Sequence, residues 1–215
     1  MKERPMMFIT SSVQPILTGQ KTQTRRVVNP QPPGWVCNHV NRTPAQHLFQ
    51  WTEAEQNPPR KLRRWPEDHY MACPYGYPIT RLWCKETWAE AYKTKKTTAY
   101  VYKADNPEVK VKWRSSMFMP RRASRINLEI VAVRAERLQE ITESDAAAEG
   151  IVTIERSIYR HGRMNGYGIP GTPPDEAGTT RVNAYAMLWD SINRDRGEVL
   201  WNDNPFVWVI SFKRI

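Results

Sequence analysis

From Gly19 to Arg26 the chain reads Gly-Gln-Lys-Thr-Gln-Thr-Arg-Arg, which sets one amine, two hydroxyls and two guanidinium groups within six residues. A lysine crowded by arginines gives up its proton more readily, because like charges disfavour the charged form. If Lys21 is also withdrawn from water, it becomes a base for a neighbouring hydroxyl. The same cations at a helix end would equally serve as surface residues that complement the helix dipole. Placement therefore decides between chemistry and solvation. The preceding residues 13–17 are apolar and predict a short helix. Ser11 or Ser12 can cap it, Pro15 suits a first turn, and Gly19 is a natural stop.

Further candidates lie downstream. Residues 81–88, Arg-Leu-Trp-Cys-Lys-Glu-Thr-Trp, alternate as a half-buried strand. If that strand faces a pocket, Glu86 would accept a hydrogen bond from the exocyclic amine of a base. Trp83 and Trp88 would then stack a base. The competing assignment pairs Glu86 with Lys85 or Arg81 and buries at least one tryptophan in the core. Glu149 on its own reads as a solvated glutamate in the last turn of a helix. Cys37, His39, His69 and Cys73 fall in one irregular stretch, but their spacing matches no standard zinc module and no Cys-x-x-Cys occurs. No metal and no cofactor is expected. Cys84 reads as a small packed hydrophobe.

The elements that must hold these residues are mostly strands. Residues 6–9 predict a first strand, 97–102 and 126–133 two more, and 206–212 a closing one. Residues 142–150 predict a helix capped by Thr142 and ended by Gly150. Residues 182–193 predict a second helix with Tyr185, Leu188, Trp189 and Ile192 on one face. From about 29 to 80 the chain is broken by nine prolines, from Pro30 to Pro78. That density argues against long helices and central strands. An irregular insertion anchored by Trp35, Phe49, Trp51, Trp65 and Tyr70 is expected there. A mobile Gly/Pro-rich loop is expected over 160–180. The pattern as a whole predicts an α+β chain, a β-barrel with short helices, in a single domain over 1–215.

Composition bounds the partners. The 215 residues carry a net charge of +10, with nine tryptophans and nine tyrosines. Basic surface interleaved with aromatics suits a nucleoside, nucleotide or nucleic acid. Arg60, Lys61, Arg63, Arg64, Arg121 and Arg122 are candidates for backbone phosphates, and such binding would weaken with salt. No apolar run is long enough to span a membrane, and no signal-peptide pattern opens the chain. Three cysteines, an odd number, suggest no disulfide framework, so a reduced, cytoplasmic setting is expected.

The pattern Gly19-x-Lys21-x-x-Thr24-x-Arg26 resembles the signature of the ASCH domain family. Residues 138–151, from the Leu-x-x-Ile-Thr approach to Ala-Ala-Ala-Glu-Gly-Ile, resemble its second block. The chain as a whole is similar to the longer ASCH proteins of tailed phages and prophages. The shared stretches include Cys73-Pro74-Tyr75-Gly76, Leu82-Trp83-x-x-Glu86-Thr87-Trp88 and Leu188-Trp189-Asp190-Ser191-Ile192-Asn193. Where that pattern usually has Gly-Asp, this chain has Ile79-Thr80. The resemblance implies a PUA-like barrel related to RNA-binding barrels, with a long insertion that the small hydrolytic members lack. It also implies removal of the acetyl group from N4-acetylcytidine. Thr24 would be the nucleophile, Lys21 the base and Glu149 the group that orients Lys21 and shuttles the proton. Arg26 would bind a phosphate or the oxyanion. A non-catalytic RNA- or DNA-binding module is the alternative.

Overall fold

In a computed structural model of the chain, structure is described for residues 3–32, 36–43, 46–52, 69–93, 98–158, 162–194 and 199–215. The elements run β1 (Glu3–Met7), α1 (Thr10–Leu17), β2 (Gln23–Val27), β3 (Val36–Thr43), β4 (Gln46–Thr52), β5 (His69–Ala72), β6 (Arg81–Lys85) and β7 (Trp88–Lys93). They continue as β8 (Thr98–Tyr102), β9 (Asn127–Arg137), α2 (Glu143–Ala148), β10 (Val152–Ile158), β11 (Gly162–Gly168), α3 (Arg181–Asn193) and β12 (Phe206–Arg214). The protein is α+β, dominated by strands, with three short α-helices among the described residues. Its strands form an open five-stranded sheet ordered β1-β6-β9-β12-β2 and three smaller antiparallel sheets; no closed barrel is formed among the described residues. No helix there is long and apolar enough to cross a membrane.

The central sheet is covered on both faces, and β12 shows why its sequence is apolar almost without a break. Phe206, Trp208, Ile210 and Phe212 pack into one core with Met6, Val13, Ile16, Leu82, Leu128 and Ile130. Val207 and Val209, pointing the other way, pack with Leu138, Ala146, Tyr185 and Trp189. Alternating side chains reach opposite faces, so a strand buried twice loses its polar phase. β2 pairs with β12 alone, Arg25 opposite Val209 and Arg26 opposite Trp208, and is the outer strand of the sheet.

Three expectations need correcting. The 29–80 stretch is not irregular throughout, because β3, β4 and β5 form a three-stranded sheet within it. None of its prolines falls inside those strands, so they punctuate the sheet without interrupting its ladders. Phe49 anchors this sheet, meeting the Trp208 ring edge-on at 4.8 Å; the side chains of Trp35, Trp51, Trp65 and Tyr70 lie outside the described residues. The 160–180 segment likewise holds β11, paired along its length with β10. Its glycines read as loop, yet a Cβ on Gly166 would sit 2.5 Å from that of Ala177, so the missing side chain permits a close chain crossing. Finally, the 81–88 strand is two strands, β6 and β7, broken at Glu86-Thr87.

Candidate active site

Two helix ends position Lys21. Helix α1 starts at Thr10 without a side-chain cap, and Pro15 sits in its second turn rather than its first. Gly19 ends it at φ +76°. The Lys21 N–H then turns back to the Pro15 carbonyl at 2.9 Å, and the Thr22 N–H donates to Ala148 O, in the last turn of α2, at 2.8 Å. Helix α2 is capped as its sequence predicts, with the Thr142 hydroxyl accepting from the Asp145 N–H and Glu149 at the C-cap. Gly150 follows at φ +96°, where a Cβ would lie 3.3 Å from the Cβ atoms of both Lys21 and Pro15. Glycine therefore serves twice here, supplying the left-handed turn and leaving room for the lysine stem.

The outcome is a buried ion pair between residues 128 positions apart. Lys21 Nζ donates to Glu149 Oε2 at 2.5 Å and to the Glu149 carbonyl oxygen at 2.7 Å. Lys21 is 5% exposed and Glu149 3%. Arg25 Nη1 approaches Glu149 Oε1 at 3.3 Å, and its Nη2 lies 2.6 Å from Glu136 and 3.4 Å from Asp145. Arg134 completes the chain, 2.7 Å from Glu136 and 2.9 Å from Asp145. Lys21, Arg25 and Arg134 thus face Glu149, Glu136 and Asp145 in a network whose charges cancel. The Tyr185 hydroxyl donates to Glu149 Oε1 at the long distance of 3.5 Å.

Desolvation dominates the electrostatics. Burial pulls the Lys21 ammonium below its ordinary 10.5; Glu149 opposes this, and Arg26 and Arg25 add to it. Burial, followed by the Glu149 charge, pushes the Tyr185 phenol well above 10, so it remains a donor. Asp145 is raised by burial, but hydrogen bonds from Arg134 and Thr142 outweigh that and hold it at about 2.

Lys21, Thr24, Arg25, Arg26 and Glu149 all line one cavity of about 750 Å³, with α3 supplying Tyr185, Trp189 and Asn193. They do not all come from one face. Along β2, Arg25 follows Val27 towards the Tyr185–Trp189 core, whereas Thr24 and Arg26 follow Val28 towards the other core. The cavity therefore wraps the open edge of β2. Thr24 lies on a strand rather than on a turn shared with Lys21. Thr24 as a residue is 4% exposed, and its hydroxyl makes no hydrogen bond among the described residues.

Glu86, Trp83 and Trp88 do not line this cavity. Glu86 is held by Arg125, Nε to Oε1 at 2.9 Å and Nη2 to Oε2 at 3.0 Å, and Arg125 also pairs with Asp105. Its partner is thus neither Lys85 nor Arg81. Trp88 is buried in a small cluster with Met119 and Ala123. Trp83 carries the cations of Lys85 and Arg121 against its ring. The break after β6 instead brings Thr87 to the cavity. Among the phosphate candidates, Arg121 is bound to Glu3 and Arg122 to the Tyr100 hydroxyl; Arg60, Lys61, Arg63 and Arg64 lie outside the described residues. The side chains of Cys37, His39 and His69 also lie outside them. Cys73 packs in the core, where burial pushes its thiol up to about 11.

Sequence reasoning missed the roles of Arg25, Tyr185, Asn193 and Ser12. Tyr185 was visible as part of an apolar helix face, and Arg25 as part of the basic cluster. Nothing in the sequence tied Arg25 to Glu136 and Asp145, which reach it from β9 and α2. No family model, curated protein or solved structure matches the chain.

Proposed function

We propose that the protein is an amidohydrolase of the ASCH type, on a PUA-like fold, that removes an acyl group from the exocyclic amine of an N4-acylated cytosine nucleoside or nucleotide. The observation that carries this reading is the Lys21–Glu149 ion pair, buried in the wall of a cavity that also holds the unbonded Thr24 hydroxyl. A lysine whose proton is weakened by burial, and which keeps a carboxylate to pass that proton to, is equipped for acid–base work.

The reaction would proceed in two stages. The Thr24 O–H proton passes to neutral Lys21 Nζ as the oxygen attacks the acyl carbonyl carbon, and the carbonyl π electrons move onto its oxygen. Collapse of that tetrahedral species breaks the C–N bond, and the cytosine nitrogen leaves with the proton from Lys21. Water then attacks the acyl-threonine ester, gives its proton to Lys21, and carboxylic acid departs as Thr24 recovers its hydrogen. Glu149 holds the amine through both stages. Tyr185 and Arg25 keep Glu149 in place.

The test is incubation with N4-acetylcytidine, followed by chromatography for cytidine and acetate. Turnover is expected to rise with pH through a midpoint below 10.5, because the base form of Lys21 is the active one and its proton is held less firmly than usual. No cytidine at any pH would sink the hydrolase. One observation favours the binding-only alternative: both Lys21 contacts are to Glu149, and none reaches Thr24.

A further inference from the structure

The charge balance around the cavity leaves one group over. Lys21 and Arg25 belong to the self-cancelling network, but Arg26 has no carboxylate within ion-pair distance among the described residues. Its Nη2 donates to the Met7 carbonyl at 2.5 Å and its guanidinium lies 5.5 Å from the Phe8 ring centroid, but its Nε is buried without a partner. A half-buried arginine with no anion, in the wall of a cavity, lacks a counter-charge that a ligand would supply.

The segment that takes the Arg26 hydrogen bond runs directly into the start of α1. Ile9 is the N-cap and offers no side-chain acceptor, so the N–H groups of Thr10 and Ser11 have no acceptor among the described residues. Ile9, Thr10 and Ser12 line the same cavity as Arg26. The Ser12 side chain is 8% exposed, and its hydroxyl has no hydrogen-bond partner among the described residues. An uncapped helix start, a cavity-lining hydroxyl with no protein partner among the described residues and an uncompensated guanidinium thus meet along one wall. Backbone N–H groups at a helix start favour an anion, and a phosphate fits the combination.

We propose that this wall is a phosphate subsite, formed by Arg26, Ser12 and the N-terminus of α1, and that the ligand of the cavity is a 5′-phosphorylated cytosine nucleotide rather than the free nucleoside. The identity of the base rests on the amidohydrolase reading; the phosphate does not. A terminal phosphate monoester and a backbone diester share this chemistry. The monoester is favoured because it brings the fuller charge to a guanidinium with none opposite it.

Calorimetric titration of the full chain separates these cases. The probes are cytidine, cytidine 5′-monophosphate and a cytidine trinucleotide lacking terminal phosphates. The monophosphate is expected to bind at least about tenfold tighter than cytidine, the worth of a charge-assisted contact. Arg26→Met should erase that advantage while leaving cytidine affinity as it was, and Ser12→Ala should reduce it about threefold. Should Arg26→Met fail to fold by circular dichroism, Ser12→Ala alone decides. Equal binding of nucleoside and monophosphate, or an advantage that survives both variants, would overturn the subsite, and a trinucleotide that binds tighter than the monophosphate would overturn the monoester assignment. Acetyl release is followed in parallel. Phosphate preference without acetyl release from N4-acetylcytidine or its 5′-phosphate upholds the subsite and removes the hydrolase. Acetyl release with no phosphate preference does the reverse.

Discussion

Glu149 and Glu86 are both withdrawn from water, at 3% and 1% exposure, and both hold a cation. They differ in the partner and in what lies beyond it. Glu86 is gripped through both oxygens by Arg125, which stacks on the Tyr102 ring at 4.0 Å and reaches Asp105; Asp105 in turn accepts from Gln14 of α1. A guanidinium cannot give up its proton, so that cluster ties β6 and α1 to the loop at Asp105 and has no second protonation state to offer. Glu149 faces an amine whose proton is already loosened by burial, and the pair borders a cavity. The same carboxylate chemistry is a tie in one place and a candidate proton relay in the other. Burial does not separate the two; the titratable partner and the adjoining space do.

The sharpest attempt to break this contrast is Lys21→Arg, which makes the Glu149 pair resemble the Glu86 pair. Charge is retained and the base is lost, so turnover on N4-acetylcytidine should fall by at least about 100-fold. Glu149→Gln should lower kcat more than it raises KM. Thr24→Ser should keep part of the activity and Thr24→Val none. A Lys21→Arg enzyme with full activity would end the base assignment. The next test is the pair's worth to the fold. Either Lys21→Met or Glu149→Leu alone strands a buried charge and should cost about 3 kcal/mol in a denaturant titration, whereas the double variant should recover most of that loss. A double variant as unstable as either single one would mean that the pair is structural.

Glu86→Gln probes the other side of the contrast. It should lower stability by about 2 kcal/mol, because Arg125 keeps Asp105 but loses a charged fork. It should leave kcat unchanged in the folded protein. Loss of turnover at full stability would instead bring Glu86 into the chemistry.

How much of this was legible in the sequence follows from the range of each signal. The α2 cap, the Gly150 stop and the doubly buried run of β12 are local patterns, and the sequence carries them. Strands β3 to β5 were hidden because they are short proline-free runs set among closely spaced prolines, whose density masks the local strand signal. The break at Glu86-Thr87 was hidden because alternation passes through it unchanged. The contact between Lys21 and Glu149 leaves no periodic trace at all. Two separated blocks had to be read together before it could be expected, and Arg25, with partners on β9 and α2, gave no such clue.

Acid titration of Asp145 offers a smaller effect within the same network. Its folded pKa of about 2 lies below its ordinary 3.8, so the unfolded chain binds more protons between those values. The stability it contributes is complete above about pH 4 and is lost as the pH falls through 2. Asp145→Asn should therefore flatten the drop in stability between pH 4 and 2, read from urea titrations at each pH. An unchanged slope would place Asp145 outside the ion network.

The smallest expected effect lies at Ile79, just before β6 on the structural side of the comparison. Ile79 holds φ +70° and is 62% exposed, while its N–H donates to the Ile130 carbonyl at 2.9 Å. A β-branched residue in the left-handed region is strained by its own Cβ, and little burial of the side chain offsets that. Glycine removes the strain and keeps the N–H. The greater freedom of the unfolded glycine chain takes back part of the gain. Ile79→Gly should therefore stabilise by about 1 kcal/mol, raising Tm by roughly 3 °C in a chain of this size. Because the turn leads into the strand that precedes Glu86 and lies apart from the Lys21 cavity, the variant should bind cytidine 5′-monophosphate as the parent does. A stabilised protein with altered affinity would show that the two halves of the comparison are coupled through the sheet.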